Sequence, residues 1–526
     1  MRPLKSSLIF VVLLLALVLS PQITLMMPQG VTEVQLISDI AYPAVVFIYA
    51  EITGEVETPD WIITASIGGF GTGFFVNPHG YIVTCGHVLF AMDNVDPLQD
   101  SVVRYYLLYK AAIVLINYLK EQGYTLTQED IRYWFNYVMT QGKITKANLD
   151  VYVILGEAVG ADVKAKGIKA RVVVKSPFIE KDIAILKVDL ENTPTLLLGD
   201  SDKVKVGDEV YAVGYPGVVV FHEMLSPETM LIPSITKGII SARRKTRYDT
   251  PALQTDVPTT HGNSGGPALS KNGKVIGVVN MGSVDPEKKI EVAGFNFLVP
   301  SNIVRDFLRE YGVKNEEGTT DKLYRKALAL YYAKCYDSAI KEFNALLNIF
   351  PYHWYAKKLI VEAQKAIARG EKANSIIELK VPTEEVKYGK EVSISGKIVL
   401  VHESPLPVEY EFTGGTVKIE YIRPDGEKIV HTVPIEKDGT FSDTIKVEKD
   451  GVWKIIASWN GNKDMHGSQV SATMKVAPPP LDIMKYLLII VGVLVVVVAI
   501  LIILSRRRRR VEEVMPPPPP PPPPPP

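Results

Sequence analysis

A serine enclosed by glycines is the residue of this sequence best suited to nucleophilic chemistry. Ser264 lies in the run Gly-Asn-Ser-Gly-Gly-Pro, from Gly262 to Pro267. Glycines let the backbone fold tightly and bring its N–H groups next to a reacting carbonyl. In acyl transfer such groups form an oxyanion hole. The candidate oxyanion hole here is at Gly262, Asn263 and Ser264, and the N–H groups of Gly262 and Ser264 would hold the oxygen. The run therefore predicts an acyl-transfer site.

A serine nucleophile needs a general base, and the chain has a histidine and an aspartate in suitable places. His87, in Thr-Cys-Gly-His-Val, ends an apolar strand-like run, and Asp182, in Asp-Ile-Ala-Ile-Leu-Lys-Val, opens another. Each residue alone would be read as an ordinary edge histidine, loop charge or turn serine. The chain order His87, Asp182, Ser264 is one of the three orders known for the catalytic triad. Together they predict a serine hydrolase.

Five ordered motifs between about residues 68 and 306 resemble the trypsin-like serine proteases of the HtrA (DegP) type. In chain order they are GTGFFVNPHGYIVTCGHV, DIAILKV, VGDEVYAVGYPG, ITKGIISA and LQTDVPTTHGNSGGPAL. The run GFNFLVP, Gly294 to Pro300, resembles the last strand of that domain. The resemblance implies an all-β, trypsin-like double β-barrel over residues 33–312. It also implies a serine endopeptidase activity on unfolded or surface proteins, and homo-oligomers such as trimers.

The same resemblance implies where the primary substrate pocket lies. Its base would be Thr259 and Thr260, just before the nucleophile, and its wall Asn280, Met281 and Gly282. None of these positions carries a carboxylate, so a buried Lys or Arg of the substrate would lack a counter-charge. We therefore expect a small or medium aliphatic residue before the scissile bond.

Two other classes of function are compatible with these motifs. One is a catalytically silent receptor or adhesion protein that uses the protease fold for binding, and a serine-reactive fluorophosphonate probe would distinguish it. The other is a chaperone-like factor that binds unfolded chains through its helical parts. Suppression of aggregation by a Ser264→Ala variant would support that second function.

Composition limits the remaining possibilities. A chain of 526 residues suggests three or four domains. The formal net charge is zero and no basic block lies in the soluble part, which argues against a nucleic-acid partner. Two cysteines, Cys85 and Cys335, cannot form a disulfide framework, and Cys85 is predicted to be a small buried residue rather than a catalytic thiol. No metal-ligand spacing occurs, so neither a metal nor a cofactor is expected.

Both ends of the chain indicate a membrane. Residues 1–27 read as a signal peptide or signal anchor, because Arg2 and Lys5 precede twelve apolar residues. Tyr486 to Leu504 is a run of 19 residues without a charge, and at ~1.5 Å per residue it spans a bilayer. Arg506 to Arg510 follow at once and predict a cytoplasmic tail over residues 506–526. The expected location is a single-pass cell-membrane protein with its protease outside.

The stretch between His87 and Asp182 is unusually long for a trypsin-like enzyme. Ser101 to Lys120 reads as an amphipathic helix, and Thr127 with Asp130 predicts a capping box that opens a second helix. These patterns predict a helical hairpin inserted at about residues 97–145. The insertion is open to three interpretations: a lid, a partner-docking surface or a structural addition.

The C-terminal half departs from the family, since no PDZ module follows the protease motifs. Residues 319–371 resemble a tetratricopeptide repeat, or alternatively form a plain helical spacer. Residues 375–476 alternate in about seven short strands, which predicts an immunoglobulin-like β-sandwich held in part by Trp453 and Trp459. Eleven prolines, Pro516 to Pro526, end the chain as a polyproline II tail that docks an aromatic-lined groove or stays solvated.

Overall fold

The computed structural model describes residues 31–90, 100–156, 163–177, 180–222, 224–226, 229, 231–284, 291–480 and 482–512. The chain divides into two compact units. The first contains residues 1–374, 400–410 and 463–466, and the second contains residues 375–399, 411–462 and 467–526. The predicted signal segment and the proline tail lie outside the described residues.

Six antiparallel strands of the first unit close a β-barrel in the order β1-β2-β3-β6-β5-β4. Their bounds are β1 Val45–Glu57, β2 Ile62–Phe75, β3 Tyr81–Thr84, β4 Lys143–Leu155, β5 Ile168–Lys175 and β6 Ala184–Lys187. Strand β1 is rich in β-branched and aromatic residues, which favour extended backbone. It is paired on both sides, with β2 and with β4, so most of its residues are buried.

Six further antiparallel strands close a second barrel in the order β10-β11-β12-β9-β8-β7. Their bounds are β7 Glu209–Gly214, β8 Ser234–Lys245, β9 Pro251–Thr255, β10 Pro267–Leu269, β11 Val275–Val284 and β12 Glu291–Pro300. One apolar cluster contains Phe47 and Phe74 of the first barrel together with Tyr211 and Val278 of the second. The barrels thus share a core, and the expected trypsin-like double β-barrel is confirmed.

Two helices lie between β3 and β4, at the position of the expected insertion: α2 Ser101–Glu121 and α3 Gln128–Gln141, after α1 Glu33–Ala41. The side chain of Asp100 caps the N–H groups of Val102 and Val103 at the start of α2. The predicted capping box of Thr127 and Asp130 is formed at the start of α3. Strand β4 begins immediately afterwards, at Lys143.

The apolar face of α2 packs on the wall of the first barrel. Leu107 is fully buried, and a Cβ on Gly54 of β1 would lie 3.0 Å from its Cδ1, so a glycine at that position admits the leucine. The other face of α2 is exposed and rich in tyrosine, and Tyr109 meets Phe135 of α3 at a ring-centroid distance of 5.3 Å. The hairpin is therefore fixed to the barrel on one side and open on the other.

Further helices of the first unit are α4 Val163–Lys166, α5 Gly217–Val220, α6 Ser301–Glu310, α7 Thr319–Tyr332, α8 Tyr336–Ile349 and α9 Trp354–Ala368. Ala327, Ala339 and Phe343 are fully buried where α7 and α8 pack together. The hydroxyl groups of Tyr332 and Tyr355 donate hydrogen bonds to the buried carboxylate of Asp39 in α1. These bonds fasten the three-helix segment, α7 to α9, to α1, the helix that precedes the first barrel.

The second unit consists of two sheets, in the orders β13-β14-β17 and β16-β15-β18-β19, followed by α10 Ile483–Glu512. Its seven strands are β13 Asn374–Lys380, β14 Glu391–Val401, β15 Thr416–Ile422, β16 Lys428–Pro434, β17 Thr440–Lys446, β18 Gly451–Gly461 and β19 His466–Val476. Trp453 and Trp459 are buried among them. These two tryptophans thus bring large apolar side chains into the interior of this unit.

Two helices in the described part of the chain are long and apolar enough to cross a membrane. One is Ser101–Glu121, with a mean hydropathy of 1.3 and partial burial against the barrel. The other is Ile483–Arg507, with a mean hydropathy of 3.8 and no burial. The second fits a transmembrane segment, whereas the first is accounted for by its packing.

Candidate active site

His87 and Asp182 are brought together by the pairing of two neighbouring strands. His87 lies in a 3-10 turn, Gly86–Leu89, that follows β3, and Asp182 lies just before β6. The two strands are antiparallel and Thr84 pairs with Ala184, so the end of one strand meets the start of the other. His87 Nδ1 lies 2.6 Å from Asp182 Oδ2, and the His87 N–H donates to Asp182 Oδ1 at 2.8 Å.

Asp182 is buried, and both its side chain and its backbone are hydrogen-bonded. It is 1% exposed, and the two N–H groups of His87 supply hydrogen bonds that a buried carboxylate requires. Asp182 has a φ of 49°, in the left-handed region, and its carbonyl accepts from the Gly86 N–H at 3.1 Å. Such a strained, fully bonded aspartate fixes the ring orientation of the histidine.

Ser264 lies in a tight turn that only glycines permit. Gly262 and Gly265 have φ values of 98° and 86°, and a Cβ on Gly265 would lie 2.1 Å from the Thr72 carbonyl oxygen. The turn half-exposes the serine, whose Oγ donates to the carbonyl oxygen of Asn280 at 3.0 Å. A change of the χ1 rotamer would turn this hydroxyl in another direction.

The same turn leaves two backbone donors available. The Asn263 N–H donates to the Thr260 carbonyl at 3.1 Å, and the Gly265 N–H donates to the Val279 carbonyl at 2.7 Å. Within the residues that the structure describes, no acceptor is bonded to the N–H of Gly262 or of Ser264. These two N–H groups are the ones that can serve an oxyanion hole. Asn263 lies between them, but its own N–H is already bonded to Thr260.

Thr72 supports the candidate site through hydrogen bonds, and the sequence analysis missed it. Its Oγ1 donates to the Gly262 carbonyl at 2.6 Å and accepts from the Tyr215 N–H at 3.0 Å, while its own N–H donates to the Ser264 carbonyl at 2.9 Å. Thr72 is fully buried. A threonine of the first barrel therefore fixes the nucleophile turn of the second. The only signal for this role was a threonine between two glycines in a strand.

Cys85 lies beside the candidate triad but is not suited to chemistry. Its thiol is buried, it donates to the Val279 carbonyl at 3.2 Å, and burial raises the pKa of the thiol well above its usual value. The ligand atoms of Cys85, His87 and Asp182 lie within 4.8 Å of one another, a spacing that could hold a metal by distance alone. Both carboxylate oxygens are already engaged by His87, so the group is better suited to proton transfer.

The predicted pocket residues lie on both sides of Ser264 along the chain. Thr259 and Thr260 are half-buried in the segment that leads to the nucleophile turn. Asn280 lies in β11, and its carbonyl holds the Ser264 hydroxyl. Met281 and Gly282 continue that strand, paired through their backbone positions with Phe297 and Asn296 of β12. The backbone of β11 thus contacts the Ser264 hydroxyl at Asn280.

Two closed six-stranded barrels and a sequence match define the class of this domain. Residues 71–278 match the family model described as a trypsin-like peptidase domain. The matched range contains His87, Asp182 and Ser264. The domain is a trypsin-like serine peptidase domain.

Within that class, the domain is similar to proteases of the HtrA and DegP type, among other relatives. It is 34% identical over 173 residues to a probable periplasmic serine endoprotease DegP-like from Halomonas elongata, an alignment that covers 32% of this chain and 31% of the relative. It is 32% identical over 180 residues to the serine protease HTRA1A of Danio rerio, covering 32% of this chain and 33% of the relative. It is 39% identical over 132 residues to the magnetosome formation protease MamE of Magnetospirillum gryphiswaldense, covering 24% and 15%. The chain thus spans a third or less of each of these relatives.

Proposed function

We propose that this protein is a membrane-anchored, extracytoplasmic serine endopeptidase that hydrolyses peptide bonds of misfolded or surface proteins. The observation that carries the proposal is the doubly hydrogen-bonded pair of His87 and Asp182, in the same domain as a Ser264 turn with two available N–H donors. The names of the relatives, several of which are serine endoproteases of the periplasm, support both the reaction and the compartment.

The proposed reaction proceeds through an acyl-enzyme. The Ser264 hydroxyl leaves its bond to the Asn280 carbonyl and gives its proton to His87 Nε2 as Oγ attacks the substrate carbonyl carbon. Asp182 holds the proton of His87 on Nδ1 and stabilises the imidazolium. The N–H groups of Gly262 and Ser264 hold the oxyanion. The imidazolium then protonates the leaving amine, and water repeats the sequence to release the acid and restore Ser264.

The flanking modules complete the proposal. Helix α10 is the membrane anchor, with residues 486–504 in the bilayer and the following arginines in the cytoplasm. The seven-stranded unit over residues 375–476 is an immunoglobulin-like spacer that sets the protease off the membrane. Residues 319–371 are a tetratricopeptide-like element, and the bonds of Tyr332 and Tyr355 to Asp39 support a role as a fixed support of the protease domain.

Labelling of the detergent-solubilised full-length chain with a fluorophosphonate probe tests this function. The probe reacts only with a serine whose base and oxyanion hole are assembled, so we expect labelling of the wild type, and none of Ser264→Ala or His87→Ala. Hydrolysis of a casein substrate should fall in both variants by at least about 10³-fold. Circular dichroism verifies that the variants remain folded.

The two alternative functions predict other outcomes. A catalytically silent binding protein would leave the probe unreacted in the folded wild type. If the protein is a chaperone-like factor, the wild type and the Ser264→Ala variant would suppress aggregation of an unfolded client equally well. Labelling that is absent from a folded wild-type protein, with and without unfolded substrate, contradicts the proposed activity.

A further inference from the structure

A cavity of about 310 Å³ opens next to the candidate catalytic residues. One wall comes from Glu180 and Lys181, which directly precede Asp182. Another comes from Asn280, whose carbonyl oxygen accepts the bond of the Ser264 hydroxyl. A polypeptide whose carbonyl group lies at Ser264 therefore has this cavity within reach of its neighbouring side chains.

The cavity is a formed part of the fold rather than a gap between loops. The turn that joins β8 to β9 is closed by a hydrogen bond from the Thr246 N–H to the Thr250 carbonyl at 2.9 Å. Thr250 Oγ1 then donates to the Glu180 carbonyl at 3.1 Å, which ties the turn to the segment before Asp182. The floor is apolar and includes Phe297 and Leu298. Such a site can hold the methylene part of a side chain and still present its head to the rim.

The rim of the cavity is basic. The residues that line it include four cationic side chains and one carboxylate, that of Glu180. Two of the cations are compensated nearby. Lys245 pairs with Asp249 at 2.7 Å, and Lys181 lies 3.4 Å from Glu310.

The two arginines of the rim are compensated differently. Arg244 Nε donates to the neutral amide oxygen of Gln254 at 3.0 Å, and the Arg247 guanidinium lies over the ring of Tyr248 at 4.9 Å. No carboxylate partner of Arg244 or Arg247 occurs among the residues that the structure describes. Both side chains are exposed. The rim consequently offers two guanidinium groups to a ligand.

We propose that this cavity selects substrates with an acidic side chain within about four residues of the scissile bond. An extended chain advances only about 3.3 Å per residue, so the residue that enters the cavity is one of the nearest few. Arg244 and Arg247 are the specificity-determining residues, because a carboxylate can pair with their positive charges, whereas a neutral Gln adds no opposite charge and a cationic Lys is repelled. The inference rests on the proposed protease function. It adds a preference for a nearby acidic side chain to the expected preference for an aliphatic residue before the scissile bond.

Cleavage of a denatured proteome by the full-length protein in detergent tests the proposal. The residues around every cut are counted for the wild type and for Arg247→Glu. We expect Glu and Asp to be enriched about 2- to 5-fold at one or two positions near the cut, a range typical of exposed charge pairs. Arg247→Glu should abolish that enrichment and favour Lys and Arg at the same positions. A higher salt concentration should weaken the wild-type preference.

Two further variants make the result specific. Arg244→Gln removes one guanidinium without adding a charge and should reduce the enrichment by about half or more. Lys143→Glu changes an exposed lysine of the first barrel that does not line the cavity, and it should leave the cleavage profile unchanged. Lys143→Glu should also retain fluorophosphonate labelling.

The outcomes separate this inference from the proposed function. Cutting by the wild type without acidic enrichment, or an enrichment that Arg247→Glu leaves intact, overturns the role of the cavity while the protease activity stands. Absence of any cutting that depends on Ser264 overturns the protease activity itself. An enrichment that Lys143→Glu also removes would assign the preference to the overall charge of the protein.

Discussion

Asp182 holds His87 at two points, through the ring nitrogen Nδ1 at 2.6 Å and through the backbone N–H at 2.8 Å. The aspartate accordingly fixes both the position of the chain and the orientation of the imidazole. It does so from a fully buried site whose backbone is in the left-handed region. An arrangement of this kind separates the two tasks of the carboxylate, which are to place the base and to select its tautomer.

Asp182→Asn should remove activity while it leaves the backbone bond in place. The amide oxygen can still accept from the His87 N–H, but an NH₂ group that faces Nδ1 would stabilise the wrong tautomer of the ring. We expect kcat to fall by about 10³- to 10⁴-fold. Hydrolysis of casein and the thermal unfolding midpoint are measured together, and a variant with unaltered turnover would show that Asp182 is not the orienting group.

Thr72→Val should weaken catalysis indirectly, because Thr72 supports the turn that carries the candidate oxyanion hole. The valine cannot donate to the Gly262 carbonyl or accept from the Tyr215 N–H, so the nucleophile turn loses its support. We expect kcat to fall about 10- to 100-fold with little change in KM, together with a loss of about 1–3 kcal/mol in stability.

Thr72→Ser is the matched control, because it keeps the hydroxyl and removes only a methyl group. Thr72→Ser should keep most of the wild-type activity that Thr72→Val loses. Equal kcat values for the serine and valine variants would contradict a role of the hydroxyl in positioning the turn.

The double barrel was expected from the resemblance of five ordered motifs to HtrA-type proteases, whereas the residues of the candidate triad were expected from the local pattern around each of them. His87 and Asp182 each adjoin a short apolar strand, and the pairing of those strands places the two residues side by side. The roles of Thr72 and Asp39 were not predictable in this way. Thr72 bonds a residue 190 positions away, and Asp39 accepts from tyrosines about 300 positions away. Single polar side chains that join distant segments leave no periodic signal.

The cleavage specificity should be aliphatic at the residue before the scissile bond. Thr259, Thr260 and Asn280 supply no carboxylate, so a Lys or Arg side chain would enter without a counter-charge. Profiling of a denatured proteome should show most cuts after Val, Ala or Leu. A majority of cuts after Lys or Arg would mean that an acidic group from elsewhere in the chain reaches the pocket.

The orientation of the protein in the membrane should follow its five arginines. Arg506 to Arg510 come directly after the apolar part of α10, and basic residues next to a span remain on the cytoplasmic side. Protease added to intact cells should therefore digest residues 31–480 and spare the proline tail. In lysed cells both parts become accessible. Protection of residues 31–480 in intact cells would reverse the topology.

The stability of the three-helix segment should decline in acid because of His353. This side chain is fully buried at the start of α9, where its Nδ1 accepts from the Ala356 N–H at 3.1 Å. Its Nε2 has no hydrogen-bond partner among the residues that the structure describes, and the ring lies against Tyr324 at a centroid distance of 4.6 Å. Burial lowers the pKa of His353 to about 3, so the folded chain keeps the ring neutral in mild acid.

The direction of the pH effect follows from the two pKa values. The unfolded chain binds a proton at His353 near pH 6.5, whereas the folded chain does so only near pH 3. The contribution of the neutral ring is thus complete above pH 6.5 and is lost as the pH falls towards 3, at about 1.4 kcal/mol per pH unit. His353→Asn keeps a side-chain acceptor for the helix start and does not titrate in this range. Between pH 6.5 and 5, the wild type should lose about 2 kcal/mol of its free energy of unfolding relative to this variant. Urea midpoints of both full-length proteins measure the difference, and a difference that stays constant with pH would show that His353 is charged or exposed in the folded chain.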